Sequence, residues 1–332
     1  MRPPLAIAAA LYYFPRQYNV WLLKRKVNQV ENVSGETAYF GEIIALVTAL
    51  VWAVAVILFK KSGEKFHPLG LNLFKNILAF LLFLPTIYLF GQTLFHDAPV
   101  SDYLLLLLSG FLGLAVADTL FLTSLNILGA GLAAILACLY SPTIIVLSVI
   151  FLDERLTWMQ LAGASLIVAA VLTTVIKNKD NGAPADKKRL WLGISLGALS
   201  YLAGGIGVIV MKPVLERSPI LWVTEVRLLS GIIFVTALLA FHPGRKSILA
   251  PGMNRRGWGF AIAGSLAGAY FSMLLWLTGL KFTQASIAAA LNQTTNIFIF
   301  LLAVIFLKEP VTAHRVLGII LAVAGALLVT FG

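Results

Sequence analysis

An all-α polytopic membrane protein, with about ten transmembrane helices arranged as two inverted five-helix repeats, is the fold class this sequence predicts. Three observations carry it. The 332 residues are 60% hydrophobic and only 12% charged, with a mean hydropathy of +0.92. A soluble domain cannot hide that much apolar surface. The apolar residues fall into runs of roughly 20, the length a helix needs to cross hydrocarbon about 30 Å thick. One pattern also occurs twice: residues 149–152, Glu154 and Thr157 return as residues 304–307, Glu309 and Thr312, an offset of 155 (309 − 154) at which Gly163 meets Gly318. Inside a bilayer each backbone amide must be satisfied within its own segment, so the runs are helices. The short alternating segments of a transmembrane barrel are absent.

Residues 1–40 lie outside the repeat. Residues 5–14 are apolar but only half a span, and Pro15 and Arg16 end them. With Arg2 as its single basic residue this start is a poor signal peptide. A surface-lying segment before Lys24, Arg25 and Lys26, or an overextended start, fits better. The first repeat, 41–176, contains spans at 42–60, 69–90, 102–124, 129–151 and 157–176. A polar linker follows at 177–189, with Asn181, Gly182 and Pro184. The second repeat, 190–332, contains spans at 190–211, 219–241, 257–280, 284–307 and 312–331. Thr157 and Gln160 have the spacing of a capping box. Pro68 and Pro219 open the second helix of each half, where a missing N–H costs nothing. Five spans per half make the two halves enter the membrane from opposite sides, the plan of many secondary transporters with a site between halves near the midplane.

Several functions are excluded by residue usage. The net charge of +11 comes from basic residues in the loops, so it reads as orientation and lipid contact rather than nucleic-acid binding. Cys138 is alone, which leaves no disulfide framework or cysteine metal site. His67, His96, His242 and His314 fall at loops or helix ends without metal-binding spacing. The G-x-S-x-G pattern at 193–197 and its like at 264–268 sit in apolar helices, where small residues serve close packing. The glycines at 129–134 follow a span, not the strand of a dinucleotide site. A sequon at 292–294 is buried in a span. No P-loop is present, so ATP hydrolysis is not expected, and no cofactor is implied.

Two breaks, residues 152–156 and 307–311, each carry a Glu followed nine residues later by a Gly. The approaches to them, 125–141 and 280–296, correspond as well, and Lys75 and Arg227 stand in the second helix of each half. In these features residues 41–331 resemble the drug/metabolite transporter superfamily, of the type with two EamA domains. The resemblance implies secondary transport, usually efflux. It does not choose among amino acids, drugs, nucleotides and sugar derivatives.

The candidate site follows from polar residues at span centres. Asn292, Gln293, Thr294, Thr295 and Asn296 lie mid-span, where unpaired amides and hydroxyls are costly. The matching depth of the fourth span holds Tyr140, Ser141 and Pro142. Asn292, Thr295, Asn296, Tyr140, Ser141 and Trp276 are therefore the expected substrate wall; packing between helices is the competing account. Tyr270 is a second aromatic candidate, and Ser200, Tyr201, Gly204, Gly205 and Gly207 give the sixth span a bendable face absent from the first, which has Trp52. Intramembrane charges at Lys75, Asp118, Glu225 and Arg227 are the candidate coupling or gating groups. Lys75 and Asp118 should share one depth and pair, either as a static tie or with Asp118 taking a proton when they separate. Glu225 lies close to Arg227 in sequence. Glu154 and Glu309 read as solvated helix ends. The expected activity is secondary export of a small polar or amphipathic metabolite by alternating access, with lipid and substrate as partners and a homodimer left open. An intramembrane enzyme or a channel or scaffold is the alternative; the first would need a catalytic residue inside the membrane. For orientation, the positive-inside count makes the 177–189 linker cytoplasmic with both termini outside, whereas the resemblance implies both termini inside.

Overall fold

Among the residues that the computed structural model describes, the regular secondary structure is helical and no strand occurs. These are 40–94, 96–152, 157–177, 187–249, 255–282, 291–292, 294–309 and 311–331. The expectations for the 1–39 tail, for Glu154, for linker residues 178–186, for the start of the ninth span and for Gln293 lie outside them.

The helices are α1 (Phe40–Gly63), α2 (Pro68–Leu89), α3 (Val100–Leu128), α4 (Ala130–Ala137), α5 (Tyr140–Leu152) and α6 (Trp158–Lys177). They continue as α7 (Lys187–Arg217), α8 (Ile220–Ala240), the short α9 (Arg245–Leu249), α10 from Arg255 to Phe282, α11 (Thr294–Leu307) and α12 (Ala313–Phe331). Among the described residues seven helices are long and apolar enough to cross a membrane, counting 130–151 as one. Shorter apolar helices lie within the fifth, ninth and tenth predicted spans. Large apolar side chains such as Leu81, Leu104, Ile150 and Trp191 point outward, as lipid contact requires.

Local sequence explains most ends. Thr157 N–H donates to Gln160 Oε1 at 3.1 Å and Gln160 N–H returns to Thr157 Oγ1 at 3.2 Å, the reciprocal bonds of a capping box. Pro68 sits in the first turn of α2, and Pro219 is the N-cap of α8. The fourth span departs from the continuous helix expected over 129–151. It breaks between α4 and α5, where Cys138 and Leu139 N–H bond only three residues back, at 3.2 and 3.0 Å. Pro142 has no N–H for the carbonyl of Cys138, so the ladder cannot run through.

Two seven-residue π-helical segments interrupt otherwise α-helical spans: Phe111–Ala117 in α3 and Leu266–Ser272 in α10. They stand 155 positions apart, at the offset of the sequence repeat. π segments loosen the i→i−4 ladder and leave carbonyls for other donors. Around the first, those donors come from side chains. Asn72 Nδ2 donates to Leu114 O at 2.8 Å, and Ser200 Oγ to Ala117 O at 2.9 Å. Further hydroxyls tie α3 to α7 and α8: Ser230 to Leu107 O (2.6 Å), Ser109 to Gly207 O (2.7 Å) and Ser124 to Gly193 O (2.8 Å). α3 thus lies against α7 and α8, while α6 runs along α12 with Gly325 against the carbonyl of Gly163.

Such close approach fixes small residues. A Cβ on Gly110 would stand 2.4 Å from Arg227 O and 2.6 Å from Ser230 Cβ, whereas a Cβ on Gly259 meets nothing within 4 Å. Gly110→Ala should therefore lower stability by about 1–3 kcal/mol, as overpacking does. Gly259→Ala should be neutral or stabilising. Thermal unfolding of the purified protein in detergent measures both, and equal effects would contradict this packing.

Candidate functional site

A cavity of about 200 Å³ opens among the helices, walled by residues from both predicted halves. Its walls bring together positions far apart in sequence: Thr48 and Trp52 from α1, Lys75 from α2, Asp118 and Phe121 from α3, Ser200, Tyr201 and Gly204 from α7 and Arg227 from α8. Ser272 and Trp276 from α10 and Asn292, Thr295 and Asn296 around the start of α11 complete it, with Tyr140 at the start of α5.

The polar side of this cavity is a connected network. Lys75 Nζ donates to Asp118 Oδ2 at 2.6 Å and to Asn76 Oδ1 at 2.9 Å. Asn76 Nδ2 donates to Asn72 Oδ1 at 3.2 Å, and Asn72 Nδ2 also reaches Thr119 Oγ1 at 2.9 Å. Lys75 is 4% exposed and Asp118 22%, so the ammonium is enclosed while the carboxylate borders the space. The expected pair forms, and it is embedded in asparagines that the sequence reading passed over. Their signal was available: Asn72, Lys75 and Asn76 stand at i, i+3 and i+4 on α2, and therefore on one face. The backbone anchor of the network is the π segment, through the Asn72 bond to Leu114 O.

The other wall is aromatic. Trp52 and Phe121 have ring centroids 6.1 Å apart, Phe121 and Tyr201 6.4 Å, and Tyr201 and Tyr140 6.4 Å. Arg227 lines the same cavity and holds its guanidinium carbon 5.7 Å from the centroid of Trp276. Arg227 is 3% exposed, and its Nε and Nη1 find no hydrogen-bond partner.

Other expectations are placed differently. Tyr270 does not line the cavity; it packs on Phe83 with centroids 4.7 Å apart, and its hydroxyl meets Thr86 Oγ1 at 2.6 Å. Asn292 and Asn296 both reach the cavity but not as neighbours on one continuous helical face, because α11 begins after Asn292. Asn292 Oδ1 accepts from Thr295 Oγ1 at 3.1 Å, and Asn296 Nδ2 donates to Cys138 Sγ at 3.2 Å. For Ser141 the backbone alone, within Tyr140–Leu152, is described. Glu225 is buried away from the cavity, forms no ion pair with Arg227, and leaves both carboxylate oxygens without a hydrogen bond.

The expectation that Glu309 is a solvated helix end is corrected. Its carboxylate accepts from Ala130 N–H at 2.8 Å and Gly131 N–H at 3.0 Å, capping the first turn of α4 from across the fold. The free amides and positive end of a helix suit a carboxylate. Lys308, at φ 56°, turns the chain that carries Glu309 to this position. Gly129, at φ 82°, has a conformation that other residues rarely adopt, and a Cβ there would approach Glu309 Oε1 to 3.0 Å.

Comparison with known proteins agrees with this architecture. The model of the "EamA-like transporter family" matches residues 39–176 and 191–331. A protein of Archaeoglobus fulgidus named "Uncharacterized transporter" is 25% identical over 288 residues, 86% of this chain and 97% of its own length. "Uncharacterized transporter YetK" of Bacillus subtilis is 25% identical over 150 residues, 45% of this chain and 44% of its own. A solved crystal structure superposes with a TM-score of 0.68 at 17% identity, over 88% of this chain and 96% of that one, which supports the fold alone.

The Lys75–Asp118 pair gives the site a stability signature. Asp118→Asn keeps the shape but leaves an enclosed ammonium without its counter-charge. Breaking a buried pair costs about 3–5 kcal/mol, and less here because Asp118 borders the cavity. The variant should melt several degrees below the parent, with most of the loss recovered in Lys75→Met/Asp118→Asn. A single variant that melts with the parent would contradict the pairing.

Proposed function

This chain belongs to the EamA-like transporter family, and from that premise we propose a secondary, non-ATP transporter that exports a small polar or amphipathic metabolite by alternating access. That it is a multi-pass integral membrane transporter rather than an enzyme follows from the family and from relatives named as transporters. The finer reading rests on one observation: a single cavity receives charged, amide and aromatic side chains from helices of both halves. At about 200 Å³ it is smaller than the roughly 300–1,000 Å³ of sites for drug-sized ligands, which favours a metabolite.

In this reading the two halves are inverted repeats, and the site sits between them. The π segments at 111–117 and 266–272, one repeat apart, support that division. Asn292, Thr295, Asn296, Tyr140, Ser141 and Trp276 form the substrate wall. Asp118 and Lys75 act as the gate: the pair holds one state, and substrate or a proton on Asp118 releases it. A static tie between α2 and α3 is the second reading, favoured by the asparagines that brace the pair.

Export is tested by comparing extracellular metabolites, by mass spectrometry, between cells that overproduce the protein and cells that lack it. A small metabolite should accumulate outside the first. Asn292→Leu should abolish that difference at an unchanged level of membrane-inserted protein. Equal metabolite profiles for the two strains would sink the exporter reading. Asp118→Asn separates gate from tie: a gate loses the parent's pH dependence of transport, whereas a tie retains it in the protein that folds.

A further inference from the structure

We infer that this cavity selects a small organic monoanion, with a carboxylate seated on Arg227 and an apolar body against the Trp52–Phe121–Tyr201–Tyr140 wall. The inference rests on the transport reading for its biological setting and on the geometry alone for its chemistry.

The argument starts from the charges that line the space. Lys75 and Asp118 neutralise each other at 2.6 Å. Arg227 is the remaining charged side chain among the described lining residues, and it forms no ion pair. Its Nε and Nη1 hydrogen-bond nothing, and it is 3% exposed. Glu225 cannot serve it. The two are separated by one residue on α8, which sets their side chains about 200° apart around the helix axis. An enclosed guanidinium without hydrogen bonds is costly, and the cost is removed when an acceptor of opposite charge enters. Trp276 faces the guanidinium and helps hold it in place.

The geometry of the cation sets the class of ligand. Guanidinium donors are arranged as a fixed fork that matches the two oxygens of a carboxylate. One uncompensated positive charge calls for one negative charge, so a dianion would leave an excess. Beyond Arg227, the chain of rings from Trp52 to Tyr140 offers flat apolar surface, which suits a compact ring or branched body.

Binding to the purified full-length protein in lipid nanodiscs tests this without any transport assay. Three probes of one shape are compared by ligand-induced thermal stabilisation at neutral pH: phenylacetate, phenylacetamide and phenethylamine. Phenylacetate should bind saturably, about ten- to a hundredfold more tightly than the amide, the range expected for a hydrogen bond to a charged partner. Phenethylamine should bind more weakly still. Arg227→Gln should bind acid and amide alike; should that variant fail to fold, the ranking of the probes on the parent protein decides. An amide or amine that binds as well as the acid overturns the inference, as does saturable binding by none of the three, or a folded Arg227→Gln that keeps the preference. Proteoliposomes with labelled phenylacetate separate the two readings. Selective binding without movement leaves the anion site standing and sinks the transport reading, whereas movement of the amide in preference to the acid sinks the anion site.

Discussion

A carbonyl in hydrocarbon that its own helix does not satisfy must find another donor, and the form of this protein depends on where those donors are. The π segment of α3 loosens its ladder at the centre of a span. Side chains from three neighbouring helices answer it and its flanks: Asn72 from α2, Ser200 from α7 and Ser230 from α8. Each bond is short and runs between helices, so the same groups that satisfy the backbone also set the spacing of the bundle. Glycines at the contacts allow it, as at Gly110 and Gly207. Stability and cavity are products of one arrangement.

That arrangement concentrates charge where the cavity lies. Asn72 is occupied by the π segment, Asn76 by Asn72 and Lys75, and Lys75 by Asp118. The chain of bonds ends with its acidic member beside the space. Arg227 has no comparable chain: its Nε and Nη1 meet no acceptor, and the indole of Trp276 faces its guanidinium. The site is thus braced on one side and unsatisfied on the other, the condition in which a ligand has something to complete.

Much of this was legible in residue order. Runs of apolar residues gave the helices, and the 155-residue offset anticipated the spacing of the two π segments although nothing in the residues announced a π-helix. Lys75 and Asp118 were paired from depth alone, since each lies a similar distance inside its span. The capping box of Thr157 and Gln160 formed as written. Contacts between distant segments were harder to read. Glu309 reads as a solvated helix end until the fold brings the first turn of α4 to it. Pro142 stands in the sequence as a residue without an N–H, yet the break it accompanies at Cys138 and Leu139 shows only in the backbone. Glu225 and Arg227 are near in sequence and face apart in space, because helical geometry separates residues two apart.

The central claim is that the cavity between the halves is reached from each membrane face in turn. Gly204 borders the cavity, and a Cβ there meets only Ala117 Cβ at 3.6 Å, so a cysteine fits. In a Cys138→Ser background, Gly204→Cys can be probed with a membrane-impermeant maleimide on inside-out and right-side-out vesicles. The account predicts labelling from both faces, from one face at a time as conditions favour each state. Labelling confined to a single face under every condition would contradict it.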